Sequence, residues 1–397
     1  MHKDSKIYIA GHRGLVGSAI LKKLQNEGYK NLILRTHQEL DLTRQREVEE
    51  FFQKEKPEYV FLCAAKAGGM AYANAKRAEF LYENLMIQNN VLQHSFLNGV
   101  KKLIFLASTT IYPKISLQPI KEEYLLDSKL EYNFESYAIA KIAGLKLCEA
   151  YNIQFQTNFI GVAPASLYGN NVSFDFKNAQ VLPALLRKIH LAKLLNEGRD
   201  SEVLQDLKLG NIEEAKAYLQ TLGIGNNSVE IWGSGNAKRD FLHCEDLADA
   251  LLFLMQNVDF KDLHKDEKEI TNTHINIGYG SDISIKELAE LIAKIVGFKG
   301  ELIFDSSKPE GALRKLGSIE KISKLGWSAK IPLEYGVKQL YQWYQECGGG
   351  GLLDDKSFVL AKVGTAKACV TKLRIANLCA RDSTNAHSYG ALEVCCA

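Results

Sequence analysis

The chain has 397 residues, 46% hydrophobic and 24% charged, with a formal net charge of +2. This is a globular composition, long enough for two or three domains that each bury a core. There is no basic field for nucleic acid and no run of ~18 apolar residues to cross a membrane, so neither partner is expected.

The N-terminal stretch Ile7–Ala10 is too short for a signal peptide and reads as a first strand. A glycine-rich turn and a helix to about Leu24 follow it. Asn31–Leu34 reads as a second strand and Thr43–Lys54 as a helix with Val48, Phe51 and Phe52 on one face. Tyr59–Ala65 is a third strand, Ala78–Asn98 a long helix, Leu103–Ser108 a fourth strand, Glu135–Tyr151 a helix and Asn158–Val162 a fifth strand. Short, wholly apolar strands separated by helices predict a parallel sheet covered on both faces.

After Gly169 the alternation breaks. Val181–Asn196 predicts a helix, and Arg199–Leu222 is charged and helical. Val229–Trp232 reads as a strand, and Asp240–Met255 as a helix with Leu242, Leu247, Leu251 and Leu254 on one side. Ile275–Ile277 is a short strand, Ser284–Val296 an amphipathic helix with an N-cap serine, and Pro332–Tyr344 a last helix. The expected fold class is α/β, a Rossmann-type doubly wound parallel sheet with a smaller α/β substrate-binding domain. Residues 1–168 form the first domain, to which about 240–280 return; 169–239 and 281–346 form the second. Residues 347–397 are expected to be an appendage. A tag, a read-through, a misframed end and a small separate module all stay open for it.

The eight cysteines show no C-x-x-C spacing. Cys63, Cys148 and Cys244 sit in apolar or helical surroundings and are expected to be free buried thiols, as suits a reducing cytoplasm, the expected location. No acidic or histidine cluster has metal-ligand spacing, so no metal is expected.

Gly11, Gly14 and Gly17 form G-x-x-G-x-x-G between a strand and a helix. Glycines there permit a tight turn and close approach of a pyrophosphate, which the helix N-terminus attracts. A glycine-rich turn without a ligand is the alternative. An acidic residue at the end of the second strand would select NAD by binding the ribose hydroxyls. This chain has Arg35 there and Arg13 in the glycine loop, and two guanidiniums can pair a 2′-phosphate. NADP(H) is the expected cofactor, against a solvated Arg35.

Tyr137 and Lys141 form Y-x-x-x-K on one helix face. A neighbouring ammonium is expected to lower the phenol pKa toward neutrality, suiting Tyr137 to donate a proton to a carbonyl oxygen as hydride arrives. Ser108 ends the fourth strand, where parallel sheets present ligands, and its hydroxyl can bond the same oxygen. Alone, Y-x-x-x-K can be a mere exposed pair; behind a glycine-loop Rossmann half and a strand-end serine it reads as a reductase set.

At this point the sequence resembles the extended short-chain dehydrogenases and, within them, the GDP-L-fucose synthase family. The resemblance covers roughly residues 5 to 346. It is carried by AGHRGLVGSAI (from Ala10), AAKAGG (from Ala64), STTIYPK (from Ser108), SYAIAKIAG (from Ser136), PALLR (from Pro183), WGSG (from Trp232), RDFLH (from Arg239) and SKPEGALRK (from Ser307). It implies Ser108, Tyr137 and Lys141 as the catalytic triad, with Lys141 also on the nicotinamide ribose. It further implies cofactor contacts at Ala64 and at Pro164, in the PASLYG turn. Substrate-nucleotide contacts are implied at Lys188, Trp232, Arg239, Lys308 and Arg314, the last two within the Lys308–Lys315 loop. Cations suit a diphosphate and an indole suits a sugar or base, although Trp232 alone could be core packing. The implied substrate is a GDP-linked sugar, and a helix pair of this fold implies a homodimer.

The chain departs from that pattern where the family's epimerising members carry a cysteine and a histidine. Those substrate-side positions are Thr110 and Gln180, neither of which titrates as a carbon acid/base would. Ser166 replaces an asparagine. The expected activity is therefore an NADPH-dependent C4-keto reductase of a GDP-4-keto sugar without C3/C5 epimerisation, like the GDP-heptose C4-reductases that serve bacterial surface polysaccharides. His190 and His243 are read as structural. A bifunctional GDP-L-fucose synthase, a nucleotide-sugar 4-epimerase with tightly held NAD and a non-catalytic NADP sensor stay as alternatives.

Overall fold

The computed structural model describes residues 1–264, 268–308 and 310–349. All but the first few residues of the expected appendage, with Cys369, Cys379, Cys395 and Cys396, lie outside these. Strands β1 (Ile7–Ala10), β2 (Leu32–Ile33), β3 (Tyr59–Leu62), β4 (Lys102–Leu106) and β5 (Phe159–Pro164) alternate with helices α1 (Leu15–Asn26), α2 (Gln45–Glu55), α3 (Met70–Ala75), α4 (Arg77–Leu97) and α5 (Glu135–Phe155). β1, β4 and β5 are buried at every position, which is why they read as unbroken apolar runs.

The second half runs β6 (Ser166–Tyr168), α6 (Val181–Asn196), α7 (Asp200–Leu207), α8 (Ile212–Thr221), β7 (Ser228–Trp232), β8 (Lys238–His243), α9 (Cys244–Asn257) and β9 (Ile275–Ile277). It continues through β10 (Asp282–Ser284), α10 (Ile285–Val296), β11 (Glu301–Asp305), β12 (Arg314–Lys315), α11 (Glu320–Lys324) and α12 (Leu333–Glu346). A six-stranded parallel sheet takes the order β2-β1-β3-β4-β5-β9. The order reverses direction at β1, between β2 and β3, which opens a crevice at the carboxyl ends of the strands. One apolar cluster joins α1, α9 and the sheet; another joins the opposite sheet face to α2, α4 and α5.

Two smaller sheets lie beside this frame. β8 pairs with β6, β10 and β12, and β7 pairs with β11. The expected helix over Asp240–Met255 is corrected here: Asp240–His243 is the end of β8, and the helix begins at Cys244. Leu242 had entered the helical spacing by coincidence; His243 is the N-cap, its Nδ1 accepting the Glu245 amide. Ser284 caps α10 as expected, in a reciprocal capping box with Glu287. Among the described residues no helix is long and apolar enough to cross a membrane. Cys63 is half-buried, Cys148 and Cys244 are buried, and all three are free thiols.

Candidate active site

The glycine loop between β1 and α1 is built for close approach. Gly11 has φ +81°, and a Cβ there would lie 2.8 Å from the Ala64 amide nitrogen. A Cβ on Gly17 would lie 2.2 Å from the Gly11 carbonyl oxygen, so the helix can pack on its own loop only as glycine. Gly14 is the N-cap of α1 and offers no side chain to its first-turn amides. Those amides, at the positive end of the helix dipole, suit an anion. The His12 Nδ1 beside them is buried without a hydrogen-bond partner. A glycine-walled cradle with uncapped amides fits a dinucleotide pyrophosphate.

Arg35 follows β2 and is not simply solvated. Its Nη2 donates to Glu55 Oε1 at 2.6 Å and its Nη1 to the Leu34 carbonyl at 2.8 Å, with the guanidinium 5.7 Å from the Phe51 ring centre. Arg13 is exposed. The carboxyl of Glu39 is held below its usual range first by the Thr36 amide and hydroxyl, and Arg35 and Arg13 both act in the same direction. The two guanidiniums thus share one neighbourhood, and Glu55, which no sequence motif marks, orients one of them.

Ser108 lies just beyond β4 and caps the 3₁₀ turn Thr109–Ile111, its Oγ accepting the Thr110 amide at 3.3 Å. Thr110 Oγ1 is buried without a partner. Tyr137 and Lys141 lie in α5, which packs against this turn. Lys141 is 2% exposed; its Nζ donates to the Leu106 carbonyl at 2.8 Å and sits 5.7 Å from the Tyr137 ring centre. Burial lowers its pKa to about 8. The expectation of a Tyr137 pKa near neutrality is corrected: burial pushes it up to about 12. Loss of hydration is the cause, and the Lys141 ammonium directs a hydrogen bond to the Leu106 carbonyl. Pro164 ends β5 near the same edge of the sheet.

Gln180 is the N-cap of α6, without a side-chain cap bond. The Gly69 amide donates to the Asn178 carbonyl at 2.9 Å, which ties the AAKAGG loop to the start of that helix. Lys188, further along α6, donates to the Glu230 carbonyl at 3.1 Å, and burial lowers its pKa. Trp232 is 56% exposed, which rules out core packing, and the Lys308 Nζ stands 5.9 Å over its ring. Arg239 Nη1 donates to the Lys238 and Ala312 carbonyls, each at 2.7 Å.

Arg314 departs from its expected place, because its guanidinium is turned to the Asp282 carboxylate, with Nε 2.5 Å from Oδ2. Its neighbour Lys315 takes the position beside Arg239 in the β12–β8 ladder. Burial lowers the Lys315 pKa to about 8 and Arg239 adds to the effect. Glu131 and Lys114 complete this cluster, 3.6 Å apart. The Lys308–Lys315 loop is legible in the sequence, but only strand register reveals that Lys315 rather than Arg314 turns inward, and no spacing marks Glu131 or Lys114.

The model of the NAD dependent epimerase/dehydratase family matches residues 7–278. The chain is 46% identical over 346 residues to a putative GDP-L-fucose synthase 2 of Arabidopsis thaliana, covering 87% of this chain and 93% of that one. The crystal structure of a GDP-6-OMe-4-keto-L-xylo-heptose reductase from C. jejuni is 55% identical, with a TM-score of 0.85 over 87% of this chain and 99% of that one. A GDP-mannoheptose C4 reductase from Campylobacter jejuni with NADP bound is 54% identical, with a TM-score of 0.79 over 87% and 99%. With the glycine cradle, the sheet order and the Y-x-x-x-K helix beside them, these likenesses lead to one conclusion: the chain belongs to the NAD dependent epimerase/dehydratase family, among the relatives of GDP-L-fucose synthase.

Proposed function

We propose that this chain is an NADPH-dependent reductase of the C4 keto group of a GDP-4-keto sugar, a 6-deoxyhexose or a heptose, and that it does not epimerise C3 or C5. The observation that carries the reading is the side-chain set around the 3₁₀ turn after β4. A serine caps that turn, and the helix packed against it carries a half-buried tyrosine and a buried lysine, while positions 110 and 180 are Thr and Gln. Solved relatives described as GDP-heptose reductases, one with NADP bound, support it.

In this reading Gly11, Arg13, Gly14, Gly17, Arg35, Ala64, Lys141 and Pro164 hold NADP(H), which supplies the hydride when bound. Tyr137, kept protonated by its raised pKa, gives its proton to the C4 oxygen. Ser108 donates a hydrogen bond to that oxygen, and Thr110 Oγ1 and Gln180 face the sugar. Lys188, Arg239 and Lys315 neutralise the diphosphate, while Trp232 and Lys308 bound the nucleotide end. Residues 1–168, with about 240–280, form the cofactor domain, and 169–239 with 281–346 the substrate domain. A homodimer belongs to the same reading: α4 and α5 lie side by side and leave Tyr82, Leu97, Ile139, Ile153 and Phe155 exposed.

The test is to incubate the protein with NADPH and a panel of GDP-4-keto sugars, following loss of NADPH absorbance and identifying products by NMR. Cofactor oxidation with a 4-hydroxy product of unchanged C3 and C5 configuration supports the reading. A 3,5-inverted product would instead make the chain a bifunctional synthase.

A further inference from the structure

We propose that Glu131 recognises a hydroxyl of the substrate's sugar ring, and that this carboxylate makes the site prefer a GDP-sugar to free GDP. The inference rests on the GDP-sugar reading above and adds a specificity-determining residue to it.

Glu131 is 5% exposed. Its Oε1 lies 3.6 Å from the Lys114 Nζ, and its Oε2 is buried with no hydrogen-bond partner. A buried carboxylate normally fills both oxygens, so an idle one marks a place where a donor arrives from outside the chain. Two backbone links fix where that place is. Glu131 precedes the turn leading into α5 and Tyr137. The Lys114 amide donates to the Lys129 carbonyl at 2.9 Å, which joins this segment to the one that follows Ser108. On the other side Glu131 acts electrostatically on both Arg239 and Lys315.

Chain connectivity thus links the carboxylate to the segments that carry Ser108 and Tyr137, while its charge acts on Arg239 and Lys315. The phosphates bring only acceptors and would be repelled by it. The group that spans the gap between a diphosphate and the carbon being reduced is the sugar ring, whose hydroxyls are donors. Guanine also offers donors, but the exposed Trp232 with Lys308 over its ring provides for the base elsewhere.

The experiment uses the full chain with NADP present and measures Kd for GDP and for GDP-mannose by calorimetry, in wild type and in Glu131→Gln. A charge-assisted hydrogen bond lost to the isosteric amide should weaken GDP-mannose roughly 10- to 100-fold. GDP should bind as before or more tightly, since the nearby cations lose a competitor. GDP weakened by the same factor as GDP-mannose, or GDP-mannose unaffected, overturns the proposal. If Glu131→Gln does not fold, as read by circular dichroism, Glu131→Asp replaces it with the same expected selectivity. Lys114→Met removes the nearest cation but keeps the carboxylate, and should retain the wild-type preference; its complete loss there would assign the preference to the lysine. A wild type that binds neither nucleotide refutes the GDP-sugar reading, whereas normal wild-type binding with a Glu131→Gln variant that keeps the wild-type preference for GDP-mannose refutes the role of Glu131 alone.

Discussion

Lys141 Nζ donates its hydrogen bond to the carbonyl oxygen of Leu106, 2.8 Å away, so the buried ammonium is anchored to the strand end that leads into Ser108. Burial has lowered its pKa to about 8. The lysine is charged below that pH and neutral above it. Since kcat/KM reports the free enzyme, kcat/KM for NADPH should fall as pH rises through about 8, approaching tenfold per unit. Initial rates across pH 6.5–9.5 (a range of about three units) measure this. A flat profile through pH 8 would remove Lys141 from cofactor capture.

Tyr137→Phe keeps the ring that packs edge-on to Phe80 and removes only the hydroxyl. Turnover should drop by roughly 10²- to 10⁴-fold, the usual contribution of a positioned general acid, while NADPH affinity stays within about threefold. Single-turnover reduction and a fluorescence titration of NADPH separate the two. Near-wild-type turnover would mean that another group supplies the proton.

Arg35, which Glu55 already orients, is the residue proposed to select NADPH. Arg35→Ala should cost on the order of 1.5–3 kcal/mol of NADPH binding, or roughly 10- to 150-fold, with little change for NADH. Titration of both cofactors against both proteins checks it. Equal wild-type affinities for NADPH and NADH would contradict the 2′-phosphate assignment.

Running the reaction in D₂O with unlabelled NADPH tests the epimerase-free reading. Carbons beside a ketone exchange slowly without a positioned base, and each missing acid/base group forgoes roughly 10²- to 10⁴-fold. The product should carry no deuterium at C3 or C5 beyond an enzyme-free control, by NMR and mass spectrometry. Enzyme-dependent label at either carbon would show that Thr110 and Gln180 do not describe the chemistry.

Asp206 is 2% exposed and lies 2.8 Å from the buried Arg187 guanidinium, which also donates to the Phe174 carbonyl; the Tyr344 hydroxyl donates to the same carboxylate. Asp206→Ala removes the carboxylate that pairs the buried guanidinium and should cost about 3–5 kcal/mol. Urea unfolding of the two proteins measures it. A loss below about 1 kcal/mol would mean that water replaces the carboxylate.

The sequence made the first half of the molecule readable because β1, β3, β4 and β5 are apolar runs whose burial needs no partner information. The second half was less readable for physical reasons. β10 and β12 are three and two residues long, too short to carry a period. β11 alternates exposed and half-buried positions around charged ends. β8 runs straight into α9 with no turn residue between them, so its leucine merged into the helical spacing. At the proposed site, the Tyr137–Lys141 spacing puts both side chains on one face of α5, and the Lys141 Nζ stands 5.7 Å from the Tyr137 ring. Spacing does not mark Glu55 or Glu131, whose partners come from elsewhere in the chain, nor which residue of the Lys308–Lys315 loop pairs with Arg239. The phenol pKa was misjudged for the same reason: spacing shows the neighbouring charge but not the lost water.

Arg239 and Lys315 are neighbours only because β8 and β12 run parallel in register, though 75 residues of chain, from 239 to 315, separate them. Two cations side by side in a ladder repel, and a strand pair of two residues has few hydrogen bonds to resist them. A dianion between them reverses the sign of that interaction. The strand pairing and the occupancy of the proposed diphosphate site are therefore thermodynamically linked. Whatever free energy the ligand gains from finding the two charges together it returns to the chain as resistance to parting, growing with ligand concentration as RT ln(1 + [L]/Kd).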